Sequence, residues 1–193
     1  NQYFATGFVS ILSIAIILGL IWNYYLQPLC VILGANSDTI DLVLEYGKCI
    51  MAFAPVFMMS NYFAPIVRNM KNPKLVMFAV LTGSVLNVIL DYVFVFPMDM
   101  GMFGAAAATV IGSLTTLLVL STHFIKKQNR VKINKETISL NLLAPIFKCG
   151  FSSLIMEVAS GFVIFIFNIQ IIKYIGDIGI VVYGIISNCI IVG

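Results

Sequence analysis

The chain has 193 residues, 61% of them hydrophobic and only 10% charged, with mean hydropathy +1.04 and formal net charge +3. Soluble domains run nearer to about 45–50% apolar and about 25% charged, so the composition excludes a soluble globular domain and reads as an all-α membrane protein. No basic run alternates with aromatics, which removes nucleic acid from the partners and leaves the lipid bilayer.

The first span is predicted from about Phe4 to Leu26, closing on Trp22, Tyr24 and Tyr25 at headgroup level, with Gln27–Pro28 breaking it. An acidic surface connection with Gly34, Asn36, Ser37, Asp38 and Asp41 follows, and Ser37 or Asp38 is the expected helix N-cap. The second span, about Leu44 to Val67, contains Pro55 and Pro65, which predict kinks. The connection 68–74 carries Arg68, Lys71 and Lys74, and its Asn72–Pro73 turn starts the third span.

Residues 75–96 and 102–124 are two apolar runs joined by the turn 97–101, each long enough to cross about 30 Å of hydrocarbon. Asp91 lies inside the first. An ionised carboxylate at membrane depth costs roughly 3 kcal/mol or more, so it must face protein, partner or water. Ser84, Asn87 and Asp91 fall at i, i+3 and i+7 on one helical stripe. Thr109, on the second run, sits at similar depth, about 9–12 Å below the turn. A carboxylate, an amide and a hydroxyl can therefore converge on an ion or a proton. Ala105, Ala108, Thr109, Gly112, Ser113 and Thr116 form a small-residue face that permits close helix approach. The plainer alternative is a structural Asp91 bonded to Asn87.

Residues 126–145 read as a basic linker with some amphipathic helix on the membrane surface. A fifth span, about Ile146 to Tyr174, places Glu157 near mid-membrane on a stripe with Ser153, Ser160, Gly161, Ile164 and Asn168. Residues 179–193 begin a sixth span of fifteen residues, about 22 Å. With Asn rather than Met at position 1, both ends read as cut and the remainder of the chain as a missing partner. The expected fold is a polytopic helical bundle of about six transmembrane helices, divided as 1–125, 126–145 and 146–193.

Assigning connections alternately to two sides puts nine of the eleven basic residues, all but Lys48 and Lys173, on one side. That side is cytoplasmic by the positive-inside rule, linker 126–145 included, and Asp91 and Thr109 then lie in the outer half of the membrane. The chemistry left open is narrow. There is no nucleotide-binding P-loop, and no base is spaced to serve a serine. His123 has neither a second His nor a carboxylate nearby, and intramembrane aspartyl proteolysis needs two facing Asp residues. Cys30, Cys49, Cys149 and Cys189 lack metal-ligand or C-x-x-C spacing and read as small buried hydrophobes. No enzyme and no cofactor are expected. Two intramembrane carboxylates, Asp91 and Glu157, favour a secondary transporter.

Arg68-Asn-Met-Lys-Asn-Pro73, Asn87-Val-Ile-Leu-Asp91 and Gly101-Met-Phe-Gly-Ala-Ala-Ala-Ala-Thr109 resemble the multidrug and toxic compound extrusion (MATE) family of cation-coupled antiporters. The resemblance runs over essentially the whole chain. It implies two six-helix lobes rocking about a central cavity. On that match the chain holds helices three to six of the first lobe, the linker, helix seven and part of helix eight. It also implies H+ or Na+ at Asp91, Asn87 and Thr109, with Glu157 a poorer match, about one turn early for the family's acidic residue. The implied function is multi-pass, cell-membrane export of amphipathic or cationic small organic compounds. The rivals are a lipid-precursor flippase, which needs basic residues deep in the spans, and a non-transporting scaffold.

Overall fold

A computed structural model describes residues 2–32, 39–125, 140–176, 179 and 182–184. Among the described residues every regular element is helical, in the order α1 (Gln2–Ile32), α2 (Ile40–Ala52), α3 (Ala54–Asn69), α4 (Pro73–Val95), α5 (Gly101–Ile125), a 3-10 turn (Leu140–Leu142) and α6 (Leu143–Ile175). Four helices among the described residues are long and apolar enough to cross a membrane, five when α2 and α3, bent by 55° at their break, are counted together as one span. The residues proposed as a sixth span lie mostly outside the described residues, as do Ser37, Asp38 and 126–139 of the linker. The chain divides into two compact units, Asn1–Leu143 and Ala144–Gly193.

Three boundaries differ from expectation. Gln27–Pro28 does not end the first helix, because α1 continues through Pro28 to Ile32. The missing proline N–H frees only the Tyr24 carbonyl, and Tyr24 is exposed beyond the apolar stretch Gln2–Trp22, where water can take that bond. The second span is not one kinked helix. Pro55 cannot donate to Met51, so the ladder stops at Phe53 and restarts with Val56 N donating to Phe53 O at 2.9 Å. Gly19 of α1 fits against this break, since a Cβ there would lie 3.0 Å from the Met51 carbonyl oxygen. Finally, the last residues assigned to the linker, 140–145, are helical, and α6 starts at Leu143.

The core of the first unit gathers where α3 ends, α4 begins and α5 ends. Met59, Phe63, Val67, Val76, Ala79 and Leu120 form it, with Val67 and Leu120 fully buried. Phe4 and Phe8 of α1 close it, the Phe63 and Phe124 rings standing 5.0 Å apart and Phe4 and Phe124 5.4 Å. Tyr62 Oη ties the cluster down by donating to the Phe4 carbonyl at 2.8 Å.

The turn between α3 and α4 explains the Lys-Asn-Pro run. Lys71 takes the left-handed conformation (φ 63°), its N–H reaches the Arg68 carbonyl, and the Asn72 N–H reaches back to Val67, which closes α3 in a Schellman motif. Asn72 then caps α4, its Oδ1 accepting from Leu75 N at 3.4 Å, with Pro73 at the first helical position. Its Nδ2 lies 3.2 Å from Nδ1 of buried His123 on α5, so one side chain joins two helices. Asn72→Ala is expected to cost about 2 kcal/mol, a cap plus a hydrogen bond. Asn72→Asp, which keeps the cap acceptor and loses the donor, should cost about half as much. Thermal unfolding in detergent orders the three proteins; equal melting temperatures would remove this tie from the account.

In the second unit α6 carries Glu157 on an exposed position, and Ser160 Oγ donates to the Met156 carbonyl at 2.9 Å. Gly176 (φ 78°) closes the helix by donating to Ile171 and Ile172.

Candidate functional site

Helices α4 and α5 pack along a seam of small residues. A Cβ on Gly112 would stand 2.8 Å from the Gly83 carbonyl oxygen and 2.9 Å from Asn87 Cβ. A Cβ on Gly83 would collide with Thr116 Oγ1 and sit 2.6 Å from the Gly112 carbonyl oxygen. Only two glycines facing each other let the backbones come this near. The approach is bonded as well as steric, since Thr116 Oγ1 lies 3.3 Å from the Ala79 carbonyl across the seam and 3.1 Å from its own Gly112 carbonyl.

One turn along, the seam opens into a cavity of about 250 Å³. Ser84 and Asn87 of α4 and Thr109, Ser113 and Thr116 of α5 line it. Asn87 Nδ2 donates to Thr109 Oγ1 at 3.5 Å, a long contact, while the Thr109 hydroxyl donates to the Ala105 carbonyl at 2.9 Å. The structure thus brings Asn87 and Thr109 together across the hairpin. Asp91 stands beside the cavity rather than in its wall, one turn further along α4. It is half-buried, and its Oδ1 is buried with no hydrogen-bond partner among the described residues. Glu157 belongs to the other unit.

Two polar lining residues are absent from the sequence expectation: Ser60 and Asn61 of α3. A pair of polar residues midway along an apolar span is the signal the sequence carries for them. Asn61 brings a second acceptor besides its amide, because Pro65, four residues on, has no N–H to give the Asn61 carbonyl. The arrangement is a small polar chamber inside an apolar bundle, furnished with neutral oxygen ligands and adjoined by one carboxylate whose buried oxygen lacks a donor. Neutral oxygens plus one carboxylate suit a small hard cation or a proton.

Residues 1–93 match the family profile described as MatE. The multidrug export protein MepA of Staphylococcus aureus (strain bovine RF122 / ET3-1) is 31% identical over 96% of this chain and 43% of its own length. These similarities are to MATE-family proteins. MepA of Staphylococcus saprophyticus subsp. saprophyticus is 28% identical over the same shares. A solved inward-facing conformation of a multidrug resistance MATE family transporter of the MOP superfamily superposes with TM-score 0.84 at 24% identity, over 93% of this chain and 42% of that one. The all-helical membrane fold is therefore that of a MATE transporter lobe. The chain spans about 43% of the length of the curated proteins it matches. The Asn87, Asp91 and Thr109 hairpin straddles the end of the matched profile, with Thr109 beyond it.

Proposed function

We propose that this chain supplies the ion-coupling hairpin of a secondary active transporter that exchanges H+ or Na+ for amphipathic, often cationic, organic compounds and exports them across the cell membrane. The observation that carries the reading is the unpartnered, buried Oδ1 of Asp91 one turn from the Asn87–Thr109 contact. A carboxylate oxygen held there without a donor is stabilised by a bound cation or by protonation. Asn87, Thr109 and the Asn61 carbonyl act as neutral ligands or relay groups in the adjoining chamber. Occupancy at Asp91 changes the charge buried between α4 and α5. The glycine seam, which fixes the two helices by close contact rather than by interlocked large side chains, gives that change an element to bias.

Further support comes from what lines the chamber. No Lys or Arg is among its residues, whereas a site for lipid phosphate needs them. The positive-inside assignment puts residues 68–74 and the linker 126–145 in the cytoplasm and Asp91 in the outer half of the bilayer.

The test uses the full-length protein encoded by the gene, reconstituted in liposomes loaded with ethidium. An imposed gradient of either H+ or Na+ is expected to move ethidium against its own gradient, with the other ion inert. If neither gradient drives ethidium movement, the antiport reading fails.

A further inference from the structure

An apolar groove of about 490 Å³ runs between α4 and α5 on the side away from the Asn87–Thr109 chamber, and the two share no lining residue. Phe78, Leu81, Val85 and Ile89 form its α4 wall, each more than half exposed. Their spacing puts them on one helical stripe, and Lys74 opens the same stripe one turn before Phe78. From Phe78 to Ile89 is about 16 Å along the axis, close to the depth of one leaflet in a hydrocarbon core of about 30 Å.

The lining decides what can lie there. Its two hydroxyls are spent on their own helices, Thr82 Oγ1 donating to the Phe78 and Ala79 carbonyls at 2.8 and 3.0 Å and Thr115 Oγ1 to the Ile111 carbonyl at 2.8 Å. The occupant is therefore hydrocarbon along the groove. A further transmembrane helix would need small residues to pack on, as at Gly83 against Gly112, and this wall carries Phe, Leu, Val and Ile instead. A thin, flexible chain follows such a wall.

At the mouth of the groove the chemistry reverses. Arg68, Lys71 and Lys74 are exposed, and among the described residues none of them is ion-paired. Lys71 is held in place by the turn that closes α3, beside the positive end of the α4 dipole. Helices α3, α4 and α5 carry a single carboxylate, Asp91, near the opposite end of α4.

We infer that the α4–α5 groove binds an anionic phospholipid, with its phosphate at Lys71 and Lys74 and one acyl chain along Phe78, Leu81, Val85 and Ile89. The inference needs α4 to cross the bilayer and nothing of the antiport reading, so failure of ethidium transport leaves it standing.

The full-length protein, with its own tryptophans replaced by Phe, is given one reporter: Leu81→Trp in the groove, or Leu118→Trp, exposed on α5 outside it. Quenching is measured in vesicles of equal phosphatidylglycerol and phosphatidylcholine, with one lipid at a time brominated in its acyl chains. At position 81 phosphatidylglycerol is expected to quench as if bound roughly fivefold more tightly, the worth of one lysine near an anionic headgroup. At position 118 the two lipids should quench alike. Lys71→Gln/Lys74→Gln should bring the ratio at position 81 to about one. No preference at position 81, a preference of the same size at both positions, or one that survives in the double variant would overturn the assignment. So would a reporter at position 81 that neither lipid quenches, since protein would then cover the groove.

Discussion

Asp91→Asn is expected to abolish ion-coupled efflux in the full-length protein while leaving membrane insertion and melting temperature intact. The substitution keeps the shape of the side chain and removes its charge. An interaction between a charged group and its ligand is worth about 2–3 kcal/mol, which corresponds to roughly a hundredfold in ion affinity. The buried Oδ1 would then sit in a neutral amide with no charge to offset, so the fold loses nothing from the change. Ion-dependent ethidium efflux and unfolding are measured on the same preparation. Undiminished coupled transport by the variant would remove Asp91 from the mechanism, and a collapsed melting curve would return it to a purely structural role. Asn87→Ala and Thr109→Val should give smaller losses, about tenfold each, because each removes one neutral ligand and leaves the charge.

Gly112→Val is the substitution expected to damage the fold most. Its Cβ would come within 2.8 Å of the Gly83 carbonyl oxygen and 2.9 Å of Asn87 Cβ, and neither is the flexible end of a side chain. The helices must therefore part. Overpacking costs about 1–3 kcal/mol, to which the strained Thr116–Ala79 hydrogen bond adds about 1 kcal/mol. Parting α4 from α5 also separates Asn87 from Thr109, already at the limit of contact at 3.5 Å. The variant should thus lose coupled transport together with stability, whereas Asp91→Asn loses only the first. Gly150→Ala is the control, because a Cβ there meets nothing within 4 Å. Unfolding in detergent, with the two glycine variants side by side, decides the matter. A Gly112→Val protein as stable as Gly150→Ala would mean the seam is not close-packed.

Hydropathy and helical periodicity carried much of this architecture. An apolar run of twenty-odd residues has few options in a bilayer, because every backbone polar group must be satisfied within the segment. The third and fourth spans accordingly begin and end within two residues of their expected positions. The stripe that aligns Asn87 with Asp91 is equally a property of the helix alone. Prolines were harder to read, since their effect depends on what can take the freed carbonyl. Pro28 leaves α1 intact beside an exposed Tyr24, Pro65 stays inside α3, and Pro55 breaks a span where Gly19 of α1 lies against the gap.

The amino-acid sequence by itself determined that the protein is helical, embedded in membrane, and carries a carboxylate where one is costly, because those follow from local polarity and the period of one helix. Only the tertiary structure decided that α3 brings Ser60 and Asn61 to the same chamber, that Asp91 adjoins the chamber without lining it, and that an apolar groove opens between α4 and α5 on the side away from it. The physical reason is that such features depend on the rotation and spacing of helices about one another. In lipid these are set by packing of small residues at contacts such as Gly83 against Gly112, to which the pattern along any one helix is blind.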